Sequence, residues 1–422
     1  MTDDYAPKAK DRGDTVLCFH YGQSNSGVAP SGPVIDVRTR WDHKVLTFDD
    51  VFRETVGGTR GFLGHPPVTK AERLIPARDE ATGVQSIVRA TGQAFLQRCE
   101  GVRPDVLVRT AGIGGQGFVD KNGIHRYADN GEKSHVYVNL IAAIQHGAAL
   151  SEARGRPASK IFIAFSHGEN DRTMSGAAYE EHLLALMADI EADLSELDLP
   201  IHWFLDQPAG TGAPGTGNNW PNRLAVRALC DRRIDCTFVG PRYQFPFYTH
   251  EDGFQDPIHT SSLGKVLLGE VFGSAMAAVD RGDEWKPVAV TSAQRDAEQI
   301  MLQFSGPVTL VPEILPRQPE EVGILHGFYA PRTRVTRVSL SGPDRVLVET
   351  EDPAREICYA FRGSDKIIRN GTVDHVDAYA LGRGDLVEAD PFDSLLLPGR
   401  VQHKFVAGFQ VIFDADGRPR TG

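Results

Sequence analysis

The stretch that decides the fold is residues 15–27, which read TVLCFHYGQSNSG. The first seven residues are mostly apolar or aromatic and predict a short buried strand, which ends at once in a turn over residues 22–27. A strand that runs into a turn of Gly, Ser and Asn is a common way to expose a reactive side chain. Ser24 is therefore a candidate nucleophile, although a serine in such a turn, taken alone, more often caps the next helix.

Outward from this strand, helix and strand patterns alternate as far as about residue 280. Apolar residues at three- and four-residue spacing predict helices, and short runs of β-branched and aromatic residues predict strands. The predicted helices span residues 83–98, 136–153, 176–196, 223–231 and 262–278, and the predicted strands span 105–110, 160–166 and 200–205. This alternation is typical of a mostly parallel sheet with helices on both faces, whose sites form at the carboxyl ends of the strands.

The pattern changes after Trp285, where short β-type runs are separated by Gly, Pro and Asp turns. Few stretches there are typical of helices, so we expect a C-terminal antiparallel β-sandwich. A chain of 422 residues is also too long for one ordinary core. We therefore predict an α/β domain over residues 1–282 and a β-sandwich accessory domain over residues 283–422.

The composition argues against several classes of protein. The net charge of −11 is unfavourable for binding nucleic acid or an anionic membrane, because both require a basic surface. No apolar run approaches the roughly 20 residues of a membrane-spanning helix, and the polar N-terminus predicts no signal peptide. The five cysteines show no zinc-type spacing, and we expect them to be reduced.

A serine hydroxyl is a weak nucleophile until a base, usually a histidine oriented by a carboxylate, removes its proton. The block Asp256-Pro257-Ile258-His259 places a carboxylate three residues before an imidazole, in a predicted loop. His250 is a rival base in the same region. The reaction also needs donors for an oxyanion, which the main-chain N–H groups of Gly114 and Gly115 and the side-chain amide of Asn170 can supply.

Together these residues form four short blocks in order, and the blocks resemble those of the SGNH hydrolases. The blocks are Gly22-Gln23-Ser24-Asn25, Gly115, Gly168-Glu169-Asn170-Asp171 and Asp256-x-x-His259. The first block, with Gly-Glu-x-Asp in the third, is more specifically similar to the sialate O-acetylesterase and acetylxylan esterase branch of carbohydrate esterases. The resemblance covers about residues 15–278. It implies a flavodoxin-like three-layer α/β hydrolase domain with a mostly parallel sheet.

The resemblance also implies roles for the matching residues. Ser24 would attack an ester carbonyl, His259 would act as general base and then as acid, and Asp256 would orient the imidazole. The N–H groups of Ser24 and Gly115, with a side chain from the third block, would bind the oxyanion.

The third oxyanion donor stays open between Asn170 and His167. His167 stands where the carbohydrate-esterase branch has glutamine, and Asn170 stands where that branch has a small residue but restores the donor of the wider superfamily. The residues expected in or beside the substrate pocket are Gln23, Asn25, His167, Glu169 and Trp220.

We therefore predict a serine esterase that removes acyl groups, above all O-acetyl groups, from a carbohydrate such as a polysaccharide. Its partner would be an acylated saccharide, and no spacing implies a metal or an organic cofactor. Two alternatives stay open: a non-catalytic glycan-binding or structural module, for example of a viral particle, and a lipid or thioester hydrolase of the same superfamily. We expect the protein in the cytoplasm, or outside the cell as part of a phage or other particle. The sequence predicts no oligomeric state.

Overall fold

The structure is a computed structural model that describes most of the chain. The described residues are 14–26, 33–37, 39–49, 71–78, 85–209, 221–249, 255–312, 324–361 and 382–420. All structural statements below concern these ranges.

Seven described strands form the central sheet. In order across the sheet they are β3 (Leu74–Pro76), β2 (Val45–Phe48), β4 (Asp105–Thr110), β1 (Thr15–Gly22), β7 (Ala158–Ser166), β8 (Ile201–Gln207) and β9 (Cys236–Pro241). Neighbouring strands run parallel, except that β2 and β3 pair antiparallel. Strand β1 lies at the centre, so the turn that follows it lies beside the carboxyl ends of β4 and β7.

Helices cover both faces of this sheet. They are α1 (Val88–Arg98), α2 (His135–Ala153), α3 (Gly176–Asp193), α4 (Pro221–Arg232) and α5 (Ser262–Arg281). Successive side chains of a strand point to opposite faces. Leu17, Phe19 and Tyr21 of β1 share a core with α2, α3 and α4, whereas Val16 and Cys18 pack with α1 and α5. The prediction of a three-layer α/β domain is thereby confirmed.

Three of the helices begin at a serine that caps them. The hydroxyls of Ser134, Ser175 and Ser261 accept hydrogen bonds from the main-chain N–H three residues further on, at 3.1–3.2 Å. Such caps satisfy donors that have no partner within the helix. The caps place the starts of α2, α3 and α5 within a residue of their predicted positions.

Two predicted elements differ from the structure. Helix α1 begins at Val88 rather than at residue 83, because the Gln85 side chain bonds the main chain of Ile35 (2.8 Å) and of Ser86 (3.1 Å) and holds this segment outside the helix. The Asp-x-x-His block was predicted in a loop but lies on a strand. That strand, β11 (Gln255–Thr260), pairs antiparallel with β10 (Phe247–Thr249).

The C-terminal part contains two four-stranded antiparallel sheets. One consists of β12 (Val290–Asp296), β13 (Gln299–Phe304), β18 (Arg345–Thr350) and β17 (Val335–Gly342), and the other of β15 (Ile324–Leu325), β16 (Phe328–Tyr329), β19 (Glu356–Tyr359) and β23 (Phe409–Ile412). Shorter described pairs are β5 (Val119–Asp120) with β6 (Arg126–Tyr127), β14 (Val308–Leu310) with β20 (Leu386–Glu388), and β21 (Phe392–Asp393) with β22 (Val401–Gln402). Ile300 and Val346 of the first sheet share one core with Phe328 and Ile357 of the second. The predicted β-sandwich is confirmed.

The two parts of the chain pack closely together. Tyr243 and Phe247, which follow β9 in the chain, lie in the hydrophobic core of the β-sandwich. In the other direction, Leu396 packs against Ala94 of α1 and Val266 of α5. The predicted boundary at residue 282 falls between α5 and β12. The division into two domains stays a prediction.

Helix α5 is long and apolar enough to cross a membrane by length and composition. This differs from the expectation that no apolar run approaches that length. Of its apolar window, 89% is buried inside the protein, as in the core helix of a soluble fold.

Candidate active site

Ser24 lies directly beyond the carboxyl end of β1, in a single turn of 3-10 helix over Ser24–Ser26. The turn depends on Gly22, whose φ is +127° and whose Cβ, if it had one, would lie 2.2 Å from the main-chain oxygen of Ser166. The N–H of Gln23 donates to the same oxygen at 3.0 Å. Because only glycine allows this approach and this backbone conformation, Gly22 fixes the direction in which the chain leaves β1.

Ser24, His259 and Asp256 form a continuous chain of hydrogen bonds. Nε2 of His259 lies 2.9 Å from Oγ of Ser24, and Nδ1 of the same ring lies 2.7 Å from Oδ2 of Asp256. The tautomer in which Nδ1–H donates to Asp256 leaves Nε2 free to accept the proton of Ser24. The structure thus brings together the three residues that the sequence predicted as nucleophile, base and orienting carboxylate.

The Asp256 carboxylate is fixed by its own main chain. Its Oδ1 accepts from the N–H of Ile258 at 2.7 Å and from the N–H of His259 at 2.9 Å. Burial alone would raise the pKa of Asp256, but the hydrogen bonds from His259 and the main chain outweigh it and hold that pKa below its usual value. The carboxylate is therefore ionised at neutral pH and can balance a positive charge on the His259 ring.

Glu169 connects the third block to the turn of Ser24. Its carboxylate accepts from the side-chain amides of Gln23 at 2.8 Å and Asn25 at 3.1 Å. The amide of Asn25 also donates to the main-chain oxygen of Ile258 at 3.1 Å. Gln23, Asn25 and Glu169 are all buried. Their hydrogen bonds hold the sequence blocks together, and their predicted place in or beside the substrate pocket stays a prediction.

Arg242 completes this buried network and was missed in the sequence. It donates to Glu169, and its Nε and Nη2 donate to the two carboxylate oxygens of Asp206, both at 2.7 Å. Burial alone would lower the pKa of Arg242, but the carboxylates of Asp206 and Glu169 outweigh it and raise that pKa. Asp206 lies near the end of β8 and Arg242 follows β9. Charged residues at the carboxyl ends of two adjacent strands are the sequence signal from which Asp206 and Arg242 could have been predicted.

The loop after β4 borders the nucleophile. A Cβ on Gly114 would lie 3.8 Å from the Cβ of Ser24. The next residue, Gly115, is exposed, with a left-handed φ of +69° and nothing within 4 Å of the position of a Cβ. The structure thus leaves space around the main chain of Gly115, the predicted oxyanion donor.

Asn170 and His167, the two alternatives for a third donor, both have hydrogen-bond partners in the structure. The side-chain amide of exposed Asn170 donates to Asp120 at 3.4 Å. The His167 ring is buried, with its centroid 4.5 Å from that of Phe118, and Nδ1 lies 3.2 Å from the hydroxyl of Tyr179. Burial lowers the pKa of His167. This histidine is therefore a neutral, buried residue, and its place in the substrate pocket stays a prediction.

Trp220 and His250 lie outside the described residues. Within the described ranges, no group of three or more His, Cys, Asp or Glu side chains is arranged to hold a metal ion.

The sequence matches no model of a protein family and no curated protein. Among solved structures, the chain is similar to a carbohydrate acetylesterase from Xanthomonas citri, with a TM-score of 0.58 and 16% identity over 94% of this chain and 80% of that one. It is less similar to a protein from Arabidopsis thaliana, with a TM-score of 0.39 and 17% identity over 63% of this chain and 98% of that one. The first similarity shows a shared fold, in agreement with the fold that the resemblance to SGNH hydrolases implied.

Proposed function

We propose that this chain is a serine esterase that removes acyl groups, above all O-acetyl groups, from a carbohydrate. One observation carries the proposal: the unbroken chain of hydrogen bonds from Oγ of Ser24 through His259 to Asp256, at the carboxyl end of the central strand. The side chain of His259 is 31% exposed, so substrate can approach the base from solvent.

The geometry fits acyl transfer in two steps. In the first, Oγ of Ser24 attacks the ester carbonyl carbon while its proton passes to Nε2 of His259. The oxyanion intermediate then collapses, the C–O bond to the alcohol breaks, and the leaving alcohol takes the proton from His259. In the second, His259 removes a proton from water, whose oxygen attacks the acyl-serine carbonyl. The C–O bond to Oγ of Ser24 then breaks, Oγ takes the proton back from His259, and a carboxylic acid is released. Asp256 stays ionised throughout and stabilises the imidazolium.

The main-chain N–H groups of Ser24 and Gly115 are the proposed oxyanion donors. Main-chain donors suit this role because they are fixed before the charge develops. The side-chain amide of Asn170 donates one N–H to Asp120 in the structure, and its second N–H is the proposed third donor.

Two features support a carbohydrate ester as the substrate. The first and third sequence blocks are similar to those of carbohydrate O-acetylesterases, and the fold is shared with a carbohydrate acetylesterase. Fold alone does not determine substrate, so this part of the proposal needs its own experiment.

Hydrolysis of p-nitrophenyl acetate tests the catalytic part. We expect Ser24→Ala to lower kcat on the order of 10⁴-fold or more. The exposed Ser341 provides a matched control, since Ser341→Ala should hydrolyse the ester at the wild-type rate. Equal rates for wild type and Ser24→Ala would overturn the proposal.

A panel of esters tests the substrate class. The panel would compare acetylated xylo-oligosaccharides and O-acetylated sialic acid with an acyl-thioester and a long-chain lipid ester. We expect the highest kcat/KM for an acetylated saccharide. A preference for the lipid or the thioester would refute the carbohydrate assignment and leave the serine mechanism intact.

A further inference from the structure

Arg383 reaches from the β-sandwich part of the chain into the α/β part. Its side chain is 2% exposed, and Nη1 donates to the main-chain oxygen of Tyr243 at 2.6 Å. The centre of its guanidinium lies 4.0 Å from the ring centroid of Phe247. A planar guanidinium that is buried, hydrogen-bonded and stacked on an aromatic ring has little freedom, so it fixes both partners relative to the β-sandwich.

Tyr243 is held by the β-sandwich at a second point. Its hydroxyl donates to the main-chain oxygen of Val406 at 2.5 Å and lies 3.3 Å from the hydroxyl of Tyr359. The ring of Phe405 meets that of Tyr243 edge-on, with 5.9 Å between the centroids. The segment from Tyr243 to Phe247 is therefore held by the β-sandwich at both of its ends.

This segment is connected to the base His259 through the strand pair of β10 and β11. Phe247 is paired with Thr260, the residue that follows His259. The N–H of Thr260 donates to the side chain of Asn25, which follows Ser24. A shift of Phe247 would therefore be transmitted through the strand pair to the His259 ring.

The same segment leads to the turn of Ser24 by a second route. Arg242 directly precedes Tyr243 in the chain and donates to Glu169. Glu169 in turn accepts from Gln23 and Asn25 on either side of Ser24. The positions of Ser24 and His259 thus both depend on the segment from Tyr243 to Phe247, which the β-sandwich holds.

We propose that Arg383 is a positioning residue for the esterase reaction and that the β-sandwich, through Arg383, sets the distance between His259 and Ser24. The proposal rests on the proposed function, because the position of the strand matters through the base that it carries. Arg383 would act on Ser24 and His259 through its contacts with Tyr243 and Phe247.

Two substitutions in the full-length protein test this role. Arg383→Met keeps a long unbranched side chain but removes the charge and the donors, whereas Arg383→Lys keeps a cation over Phe247 without the planar fork. The control is Arg345→Met, because Arg345 lies exposed in the same β-sandwich. Circular dichroism at the assay temperature verifies that each variant is folded.

We expect Arg383→Met to lower kcat for p-nitrophenyl acetate on the order of 10- to 100-fold with little change in KM, since a displaced base slows the chemical step more than binding. Arg383→Lys should recover part of the loss, and Arg345→Met should match wild type. If a folded Arg383→Met variant keeps the wild-type kcat, the proposal is refuted. If Arg383→Met does not fold, Arg383→Lys decides, and a wild-type kcat in that variant also refutes the proposal.

A second measurement separates this proposal from the proposed function. The proton between Nδ1 of His259 and Asp256 should give a far-downfield proton NMR resonance, which is identified by its absence in His259→Ala. We expect Arg383→Met to shift or broaden this resonance and Arg345→Met to leave it unchanged. The readout does not require turnover, so an unaffected resonance would refute the positioning role. A wild-type enzyme without esterase activity would refute only the proposed function.

Discussion

The side-chain amide of Asn25 donates to the main-chain oxygen of Ile258 at 3.1 Å. This hydrogen bond joins the turn that carries Ser24 directly to the strand that carries His259. The same side chain accepts from the N–H of Thr260 at 3.4 Å, so Asn25 bonds the main chain on both sides of the base. Asn25, the residue next to the nucleophile, therefore helps to hold Ser24 and His259 at hydrogen-bond distance.

We expect Asn25→Ala to lower kcat for ester hydrolysis on the order of 10- to 100-fold, because small misplacements of a reacting group carry a penalty of this size. The variant removes the side-chain hydrogen bonds to the main chain of Ile258 and Thr260. The distance between His259 and Ser24 is then less tightly fixed. Kinetics with p-nitrophenyl acetate measure the effect. Asn130→Ala is the control, since Asn130 is exposed and bonds only locally to Glu132 in the structure. A wild-type kcat in Asn25→Ala would contradict this account.

Asp256→Asn tests the orienting carboxylate. An amide can accept from Nδ1–H of His259 with one oxygen but cannot balance the charge of the imidazolium, and it favours the wrong tautomer if its NH₂ faces the ring. We expect kcat to fall on the order of 10³- to 10⁴-fold, with the overall fold preserved.

The chain offers a matched control for this substitution. His326 and Asp385 form a second His–Asp pair in the β-sandwich part, with 3.0 Å between Nδ1 and Oδ2. Asp385→Asn removes the same charge from the same kind of pair but should leave kcat unchanged. Similar losses in the two variants would indicate a general electrostatic or folding effect in place of a catalytic one.

The pKa of Asp256 gives a prediction for acid stability. Because this pKa is lowered in the folded state, the folded protein binds fewer protons than the unfolded chain near the ordinary Asp pKa of about 3.9. The stabilisation by ionised Asp256 is therefore complete above that pH and is lost as the pH falls through the lower folded value. Denaturant unfolding of wild type and Asp256→Asn measures it. We expect the difference in the free energy of unfolding to shrink steadily as the solution is acidified below about pH 4. A difference that grows on acidification would mean that the folded pKa is raised.

Those site residues that belong to a short local sequence pattern could be predicted from the sequence. Ser24, Asp256 and His259 belong to short blocks with fixed spacing, and the Asp256 carboxylate reaches its ring through main-chain bonds within the block itself. Strands and helices were predictable for the same reason, since periodicity and capping serines act over a few residues. The start of α1 was misplaced because a distant residue, Ile35, sets it through Gln85.

The residues that sequence reasoning missed act over long separations. Arg242 meets Glu169 and Asp206 across 73 and 36 positions, and Arg383 meets Tyr243 across 140. No local pattern encodes such pairs, because they arise only when the sheet and the β-sandwich have assembled. The burial of His167 could not be predicted for the same reason. Its neighbours in sequence belong to the site, but its ring packs against Phe118 in the core.

Glu169→Gln tests the buried network that supports the turn of Ser24. The substitution leaves the buried guanidinium of Arg242 with one carboxylate, that of Asp206. It also places an NH₂ group against side chains that donate to Glu169. Breaking a buried ion pair in this way typically destabilises a protein by about 3–5 kcal/mol. We expect a loss of that order in the free energy of unfolding, measured by denaturant titration, and a lower kcat in the folded fraction. Glu351→Gln, on the exposed surface, should change stability by less than about 0.5 kcal/mol. A loss that small for Glu169→Gln would show that the network contributes little.

Gly22→Ala separates backbone strain from steric overlap at the end of β1. An added Cβ would lie 2.2 Å from the main-chain oxygen of Ser166, and main chain in the middle of a sheet cannot move aside easily. We expect a destabilisation on the order of 4 kcal/mol or more, measured as a lower thermal midpoint or as loss of folded protein. The comparison is Gly155→Ala, where φ is also positive, at +71°, but nothing lies within 4 Å of the new Cβ. That variant should lose only the roughly 1–2 kcal/mol of a left-handed residue. If the two variants lose the same stability, the close contact with Ser166 does not determine the course of the chain into the turn of Ser24.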